Sequence, residues 1–293
     1  MRKYIREKYC RDFGKRRKTE LMKIRFLGTA ASEGIPDAFC DCAVCKAARQ
    51  FKGRESRTRV GLMVDDDLLI DFSPDFYVNS INFGIDGNKI ETVLITHSHS
   101  DHFYADDIVN LMLGSKNRKK IDIYSNEIVI DRLKKEIDSA NLGENFGLHC
   151  VESYRTFHVG RRKITAFNAV HMPDERALLY FIEDGNRGYL HLYDTGEVKD
   201  EIVEWMHKNG KAADIVAIDC TFGTIEERYF GHMNLKQVAE ECEKLKKRGI
   251  IKDNAKIFAT HFCHWGGTYE ELCKAAEGTG ITIAYDGLET FTK

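Results

Sequence analysis

Apolar residues along this chain recur in two rhythms, short β-rich runs and longer stretches at helical spacing, and the two alternate from Lys23 onward. The short runs predict strands over residues 23–28, 61–64, 68–71, 91–96, 121–124, 163–170, 177–183, 189–193, 215–219, 256–260 and 281–285. The helical rhythm predicts helices over residues 105–113, 127–140, 197–208, 235–248 and 269–277. Asn234 precedes one of these runs with Gln237 three positions on, the signature of a capping box, and Gly249 follows the run's basic end. The strands at 177–183 and 189–193 flank Asp184-Gly-Asn-Arg-Gly188 and read as a hairpin, while others belong to strand–helix–strand units. That mixture predicts an α+β layered sandwich. No low-complexity linker interrupts it, so residues 22–293 are expected to form one domain, preceded by a basic extension over residues 1–21.

Composition narrows the picture. The chain of 293 residues is 43% hydrophobic and 31% charged, enough apolar material for a large core and enough charge for a wetted surface. It contains no run of roughly 18 apolar residues, as a membrane helix requires, and its start lacks the apolar core of a secretory signal. A cytoplasmic location is the expectation. Nine cysteines, an odd number with three packed into Cys40-Asp-Cys42-Ala-Val-Cys45, point to reduced thiols and metal binding more than to a disulfide framework. Cys10, Cys150, Cys220, Cys242, Cys263 and Cys273 read as plain small residues.

A formal net charge of -2 gives no overall attraction to nucleic acid or to anionic membranes. The one asymmetry is the stretch from Met1 to Glu20, with nine Lys or Arg against three acids. It reads as a solvated extension rather than a nucleic-acid arm, and Met22 is an alternative start.

The densest chemistry lies in His97-Ser-His99-Ser-Asp101-His102, directly after the apolar run 92–95. Side chains alternate along a strand, so His97 and His99 point to one side, and a following turn can bring Asp101 and His102 nearby. Imidazole with carboxylate suits Zn, Mn or Fe. His171, Asp194 and His261 each follow a predicted strand, and Asp194 is the natural carboxylate to bridge two cations.

His97, His99, Asp101 and His102 match in full the His-x-His-x-Asp-His hallmark of the metallo-β-lactamase superfamily, which the chain resembles from Lys23 to its C-terminus. The resemblance implies a four-layer αββα sandwich with two divalent metal ions at one edge of its sheets. It also implies that His171, Asp194 and His261 complete the ligand set.

Cys40, Cys42 and Cys45 supply three thiolates, and a closed tetrahedral zinc site wants a fourth ligand. His264, three residues after His261, is the choice, with Cys263 as its competitor. This pairing is similar to the phosphoribosyl 1,2-cyclic phosphate phosphodiesterase subfamily of phosphonate breakdown, although the pyrroloquinoline-quinone biosynthesis branch shares a similar knot. The resemblance extends to Asp219-Cys-Thr-Phe222 followed by Gly231-His232, which assigns catalytic roles to His232 and, among the ligands, Asp101. It implies hydrolysis of a phosphodiester, a small cyclic one, by a hydroxide held between two metals, and suggests a homodimer. Nucleic acid and membranes are not expected as partners. Arg57 and Arg59 either hold a phosphate or belong to a surface loop. Rival readings are an RNA-processing nuclease of the same fold, a thioester or β-lactam hydrolase, and a non-catalytic metal-binding accessory protein. The last would show a broken ligand set, and here the set is whole.

Overall fold

The computed structural model describes residues 21–116 and 119–293, so the basic extension lies outside the described residues except for Leu21. Among the described residues, fourteen strands form two mixed seven-stranded sheets. The first contains β1 (Lys23–Gly28), β2 (Gly61–Val64), β3 (Leu68–Ile70), β4 (Thr92–Leu94), β5 (Ile121–Ser125) and β6 (Phe146–Cys150), with β14 (Glu289–Phe291) on the far side of β1. The second contains β7 (Thr156–Val159), β8 (Arg162–Asn168), β9 (Leu178–Asp184), β10 (Arg187–Leu192), β11 (Ala213–Asp219), β12 (Ile251–Thr260) and β13 (Ile281–Ile283), joined in that order.

Strand periodicity explains the layering. In β2 and β3, Leu62, Val64, Leu68 and Ile70 face a core shared with Ile164, Leu178, Tyr180 and Ile215 of the second sheet. The alternate residues Met63 and Leu69 face a different core with Ile108, Met112, Val129 and Leu133. These come from α3 (Ala105–Gly114) and α4 (Glu127–Ser139), which cover the first sheet with α2 (Phe76–Asn82). The outward residues of the second sheet, among them Phe181, Leu190, Val216 and Ile218, meet α1 (Ala43–Phe51), α5 (Asp200–Lys208), α6 (Leu235–Lys247) and α7 (Tyr269–Ala275). Both faces of each sheet are therefore buried, and three apolar cores separate four layers, αββα. Among the described residues no helix is long and apolar enough to cross a membrane.

Chain direction decides where the polar chemistry collects. Strands β10, β11 and β12 run parallel, with Ile218 beside Leu192 and Ala259, so Asp194, Asp219 and His261 emerge at the same edge. Strand β8 is antiparallel to β9 and β9 to β10, which returns β8 to that direction and brings His171 there too. In the first sheet β3 and β4 are parallel, placing Asp71 beside the His97 loop. Ligands in open α/β sheets collect at such carboxyl ends.

The two arginines in residues 56–60 engage the protein itself. Arg57 is buried, donates to Thr29 Oγ1 at 2.7 Å and to the Ala284 carbonyl at 2.6 Å, and stacks over the Phe262 ring at 4.5 Å. Arg59 makes a forked pair with Asp75. The Arg59 guanidinium is taken up by its carboxylate, while Arg57 donates through Nη1 and leaves Nη2 buried without a hydrogen bond.

Candidate metal centre and active site

The His97 loop leaves β4 and turns at once, with the His102 and Phe103 amides both donating to the His99 carbonyl. This folds four side chains of one short segment toward the sheet edge. Asp194 and His261 reach the same place with φ of 44° and 64°, in the left-handed region that side-chain-bearing residues rarely adopt. His171 arrives from β8 and packs under Gly231, whose φ is 82° and where a Cβ would stand 3.1 Å from the imidazole. Only glycine permits that approach.

Two sets of ligand-type atoms bring the seven expected residues together, each mutually within 4.8 Å: His97, His99, His171 and Asp194 in one, Asp101, His102, Asp194 and His261 in the other, while Asp219 and His232 form a further such group with Asp194 and His261. Asp194 belongs to all three. Its Oδ2 lies 3.4 Å from His97 and His171 Nε2 and 3.2 Å from His102 Nε2, while its Oδ1 lies 2.7 Å from His261 Nε2. All seven ligands expected from the sequence come together.

The donor set fits cations. His99 Nδ1 lies 2.9 Å from His97 Nε2 and 3.1 Å from His171 Nε2, and His102 Nε2 lies 3.3 Å from His261 Nε2. A neutral imidazole nitrogen carries either a hydrogen or a lone pair, so such a ring of facing nitrogens holds several lone pairs that protons cannot all satisfy. Asp194 Oδ1 is buried, and its one near neighbour, His261 Nε2 at 2.7 Å, does not meet it in hydrogen-bonding geometry. A cation in each set answers both features. Burial, then the neighbouring His102, holds His97 well below its ordinary pKa, in the neutral form that coordinates. Burial raises Asp101 and Asp194, but the adjacent histidines outweigh it and hold both carboxyls well below their usual range.

Further residues fix the rings. Asp71 Oδ2 lies 2.8 Å from His102 Nδ1, and Asp71 Oδ1 accepts from the Thr96 amide at 2.8 Å. Thr221 Oγ1 lies 2.7 Å from His261 Nδ1. Glu175 accepts from the Ser98 amide and from Asn126 Nδ2, bracing the His97 loop from the far side. Such partners set the tautomer and aim of a ligating imidazole. The sequence reading assigned none of them, though Asp71 and Asp219 carry the same signal as Asp194, an aspartate closing an apolar strand run.

His232 sits beside the metal set. Its Nδ1 is 2.8 Å from Asp219 Oδ2 and its ring centroid 4.9 Å from that of His171. Burial lowers its pKa, but Asp219 outweighs burial and holds His232 above its ordinary value. It lines a cavity of about 400 Å³ together with His99, Asp101, His171, Asp194 and His261. A separate apolar cavity of about 330 Å³, lined by Leu69, Phe76, Ile108 and Met112 among others, contains none of this chemistry.

The cysteine cluster forms at the start of α1. Cys42 caps that helix, its Sγ accepting from the Cys45 amide at 3.5 Å, and His264 Nδ1 lies 3.5 Å from the same sulfur. Cys40, Cys42, Cys45 and His264 offer atoms mutually within 4.8 Å, with all three thiols free. Burial raises Cys42, yet His264 and the helix-start amide outweigh it and bring the thiol down to about 6. Burial pushes Cys45 up to about 12. Three sulfurs and one imidazole suit a tetrahedral zinc. Cys263 is not part of this group, and its buried thiol is pushed up to about 11.

Comparison with known proteins agrees with this geometry. Residues 67–262 match the family model described as "Beta-lactamase superfamily domain". A diphosphatase from the PhnP family is 26% identical with a TM-score of 0.73, covering 93% of this chain and 97% of that one. Zn(2+)-bound PqqB from Methylobacterium extorquens is 18% identical, with a TM-score of 0.71 over 92% of this chain and 99% of its own, and shares the fold. The short form of human tRNase Z, 16% identical with a TM-score of 0.66, covers 93% of this chain and 100% of that one and likewise shares the fold. An octanoyltransferase from Porphyromonas gingivalis is 30% identical over 120 residues, 40% of this chain. The match spans only 23% of that relative's length. With its family model, its two-sheet sandwich and its His and Asp sets all in place, the chain belongs to the metallo-β-lactamase superfamily and is a metal-dependent hydrolase of that fold.

Proposed function

We propose that this hydrolase cleaves a phosphodiester, a small cyclic one, at two divalent cations held by His97, His99, His171, Asp101, His102, His261 and the shared Asp194. The observation that carries this reading is His232, which lines the cavity beside both ligand sets with its Nδ1 committed to Asp219 at 2.8 Å. Nε2 is thereby left to serve a bound substrate. The PhnP-family relative is called a diphosphatase, which supports chemistry at phosphorus.

The cations, when bound, supply Lewis acidity, acidifying water and offsetting charge on phosphoryl oxygens. The remaining work belongs to the chain. Asp71 and Thr221 hold His102 and His261 in one tautomer, so that their Nε2 atoms face inward. Asp219 orients His232 and favours its protonated form, from which Nε2 donates a proton to the departing alkoxide. The Cys40, Cys42, Cys45 and His264 cluster, filled by one zinc, braces the loop that carries His261 and takes no part in bond cleavage.

The test is turnover of bis(p-nitrophenyl) phosphate by metal-replete protein, lost on chelation and recovered with Mn, Zn or Fe. Thioester or β-lactam hydrolysis without diester turnover overturns the reading.

A further inference from the structure

The lip of the metal cavity bears on which diester fits. Its lining includes Glu33, Asp37, Phe222 and Trp265 in addition to the metal-set residues. Apart from histidines, every charged residue lining it among the described residues is a carboxylate: Glu33, Asp37, Asp101 and Asp194. Cations in the two ligand sets would compensate Asp101 and Asp194. Glu33 and Asp37 remain, with side chains 24% and 26% exposed, as the net charge that an entering substrate meets.

These two acids are held in place. Glu33 Oε1 accepts from the His264 amide at 3.2 Å, and Asp37 Oδ1 accepts from the Phe39 amide at 2.7 Å. His264 turns Nδ1 toward Cys42, which leaves Nε2 4.0 Å from Glu33 and 3.8 Å from Asp37. The knot histidine therefore also sets the position of the acidic lip. Next to it stand flat apolar surfaces. Trp265 is 66% exposed, and Phe222 stacks on Tyr229 with centroids 4.2 Å apart.

We infer that the site selects a phosphodiester bearing an aromatic group with N–H donors, such as a nucleobase, and no second phosphate. The inference rests on the phosphodiesterase reading above. A terminal phosphate brought to the lip faces two carboxylates and is repelled. A base offers the opposite match, amino hydrogens for the carboxylates and a π-face for Trp265.

The experiment compares kcat/KM of the metal-replete full chain on three diesters: adenosine 2′,3′-cyclic phosphate, the same compound with a 5′-phosphate, and the 2,3-cyclic phosphate of methyl riboside. The 5′-phosphate should lower kcat/KM about tenfold, the order expected for like charges brought together at a partly wet site. Asp37→Asn combined with Glu33→Gln should abolish that penalty, and Asp37→Asn alone should reduce it if the double variant loses zinc. Trp265→Ala should lower the preference for the base-bearing over the base-free diester about tenfold, through KM, as loss of one stacked base predicts. Equal or faster turnover of the 5′-phosphorylated compound overturns the inference alone, as does a Trp265→Ala effect equal on both partners. No turnover of any diester, bis(p-nitrophenyl) phosphate included, overturns the phosphodiesterase reading together with it.

Discussion

His232 has one nitrogen tied to Asp219 and the other free to serve the cavity, so its removal should raise the barrier without emptying the metal sets. His232→Ala is expected to lower turnover of diesters with poor leaving groups by about 10²- to 10⁴-fold, with a smaller deficit for p-nitrophenyl esters, whose leaving group needs little protonation. Metal analysis alongside kinetics checks this, and lost metal would make His232 a ligand instead. Arg57 has the opposite character, a buried cation that holds Thr29 and Ala284 and lines no part of the metal cavity. Arg57→Met should cost about 2–4 kcal/mol in urea unfolding, because the partners lose their donor, while the folded fraction keeps its turnover. The ligands were legible because four of them share six residues and the rest end apolar runs. Asp71 and Glu175 were not, since Asp71 meets His102 across 31 positions and Glu175 meets Ser98 across 77. No local pattern records such a pairing.

Helix α6 opens with the capping box foreseen at Asn234 and Gln237, and it buries Glu241 on its inner face. Burial pushes that carboxyl up to about 6 from 4.5, against a partial counterweight from Lys244, 3.1 Å away. A carboxyl whose folded pKa is raised binds its proton more tightly in the native state. Its contribution to stability is therefore fullest below 4.5 and is lost as pH climbs through about 6. Glu241→Gln should remove that decline, about 2 kcal/mol between pH 4.5 and 7.5. Parallel urea titrations of both proteins decide it, and identical pH slopes would refute it. Other elements escaped the sequence for reasons of burial. Strands β7 and β14 lie at sheet edges with exposed residues in each, and α2 buries only Phe76 and Asn79, so neither rhythm is strong there. Helix α1 was hidden because the cysteines that begin it were read only as ligands.

Across the molecule, three apolar cores fix two sheets whose parallel strands end together, and the layered architecture could be anticipated from hairpins mixed with strand–helix–strand units. The order of strands within each sheet could not, because it depends on pairings as distant as Lys23 with Phe291. The cysteine cluster ties α1 to the loop after β12, and Cys42→Ser is expected to lower the melting temperature by roughly 5 °C or more. That loop places His261 in one metal set and His264 in another only three residues later. The two ligand sets are thus linked by a tether too short to let one relax unnoticed by the other. Emptying the knot should loosen the grip at His261, so metal-saturated Cys42→Ser protein should release its active-site ions to a chelator faster than the parent chain does. Equal release rates, followed by metal analysis over time, would show that the two ends of the tether move independently.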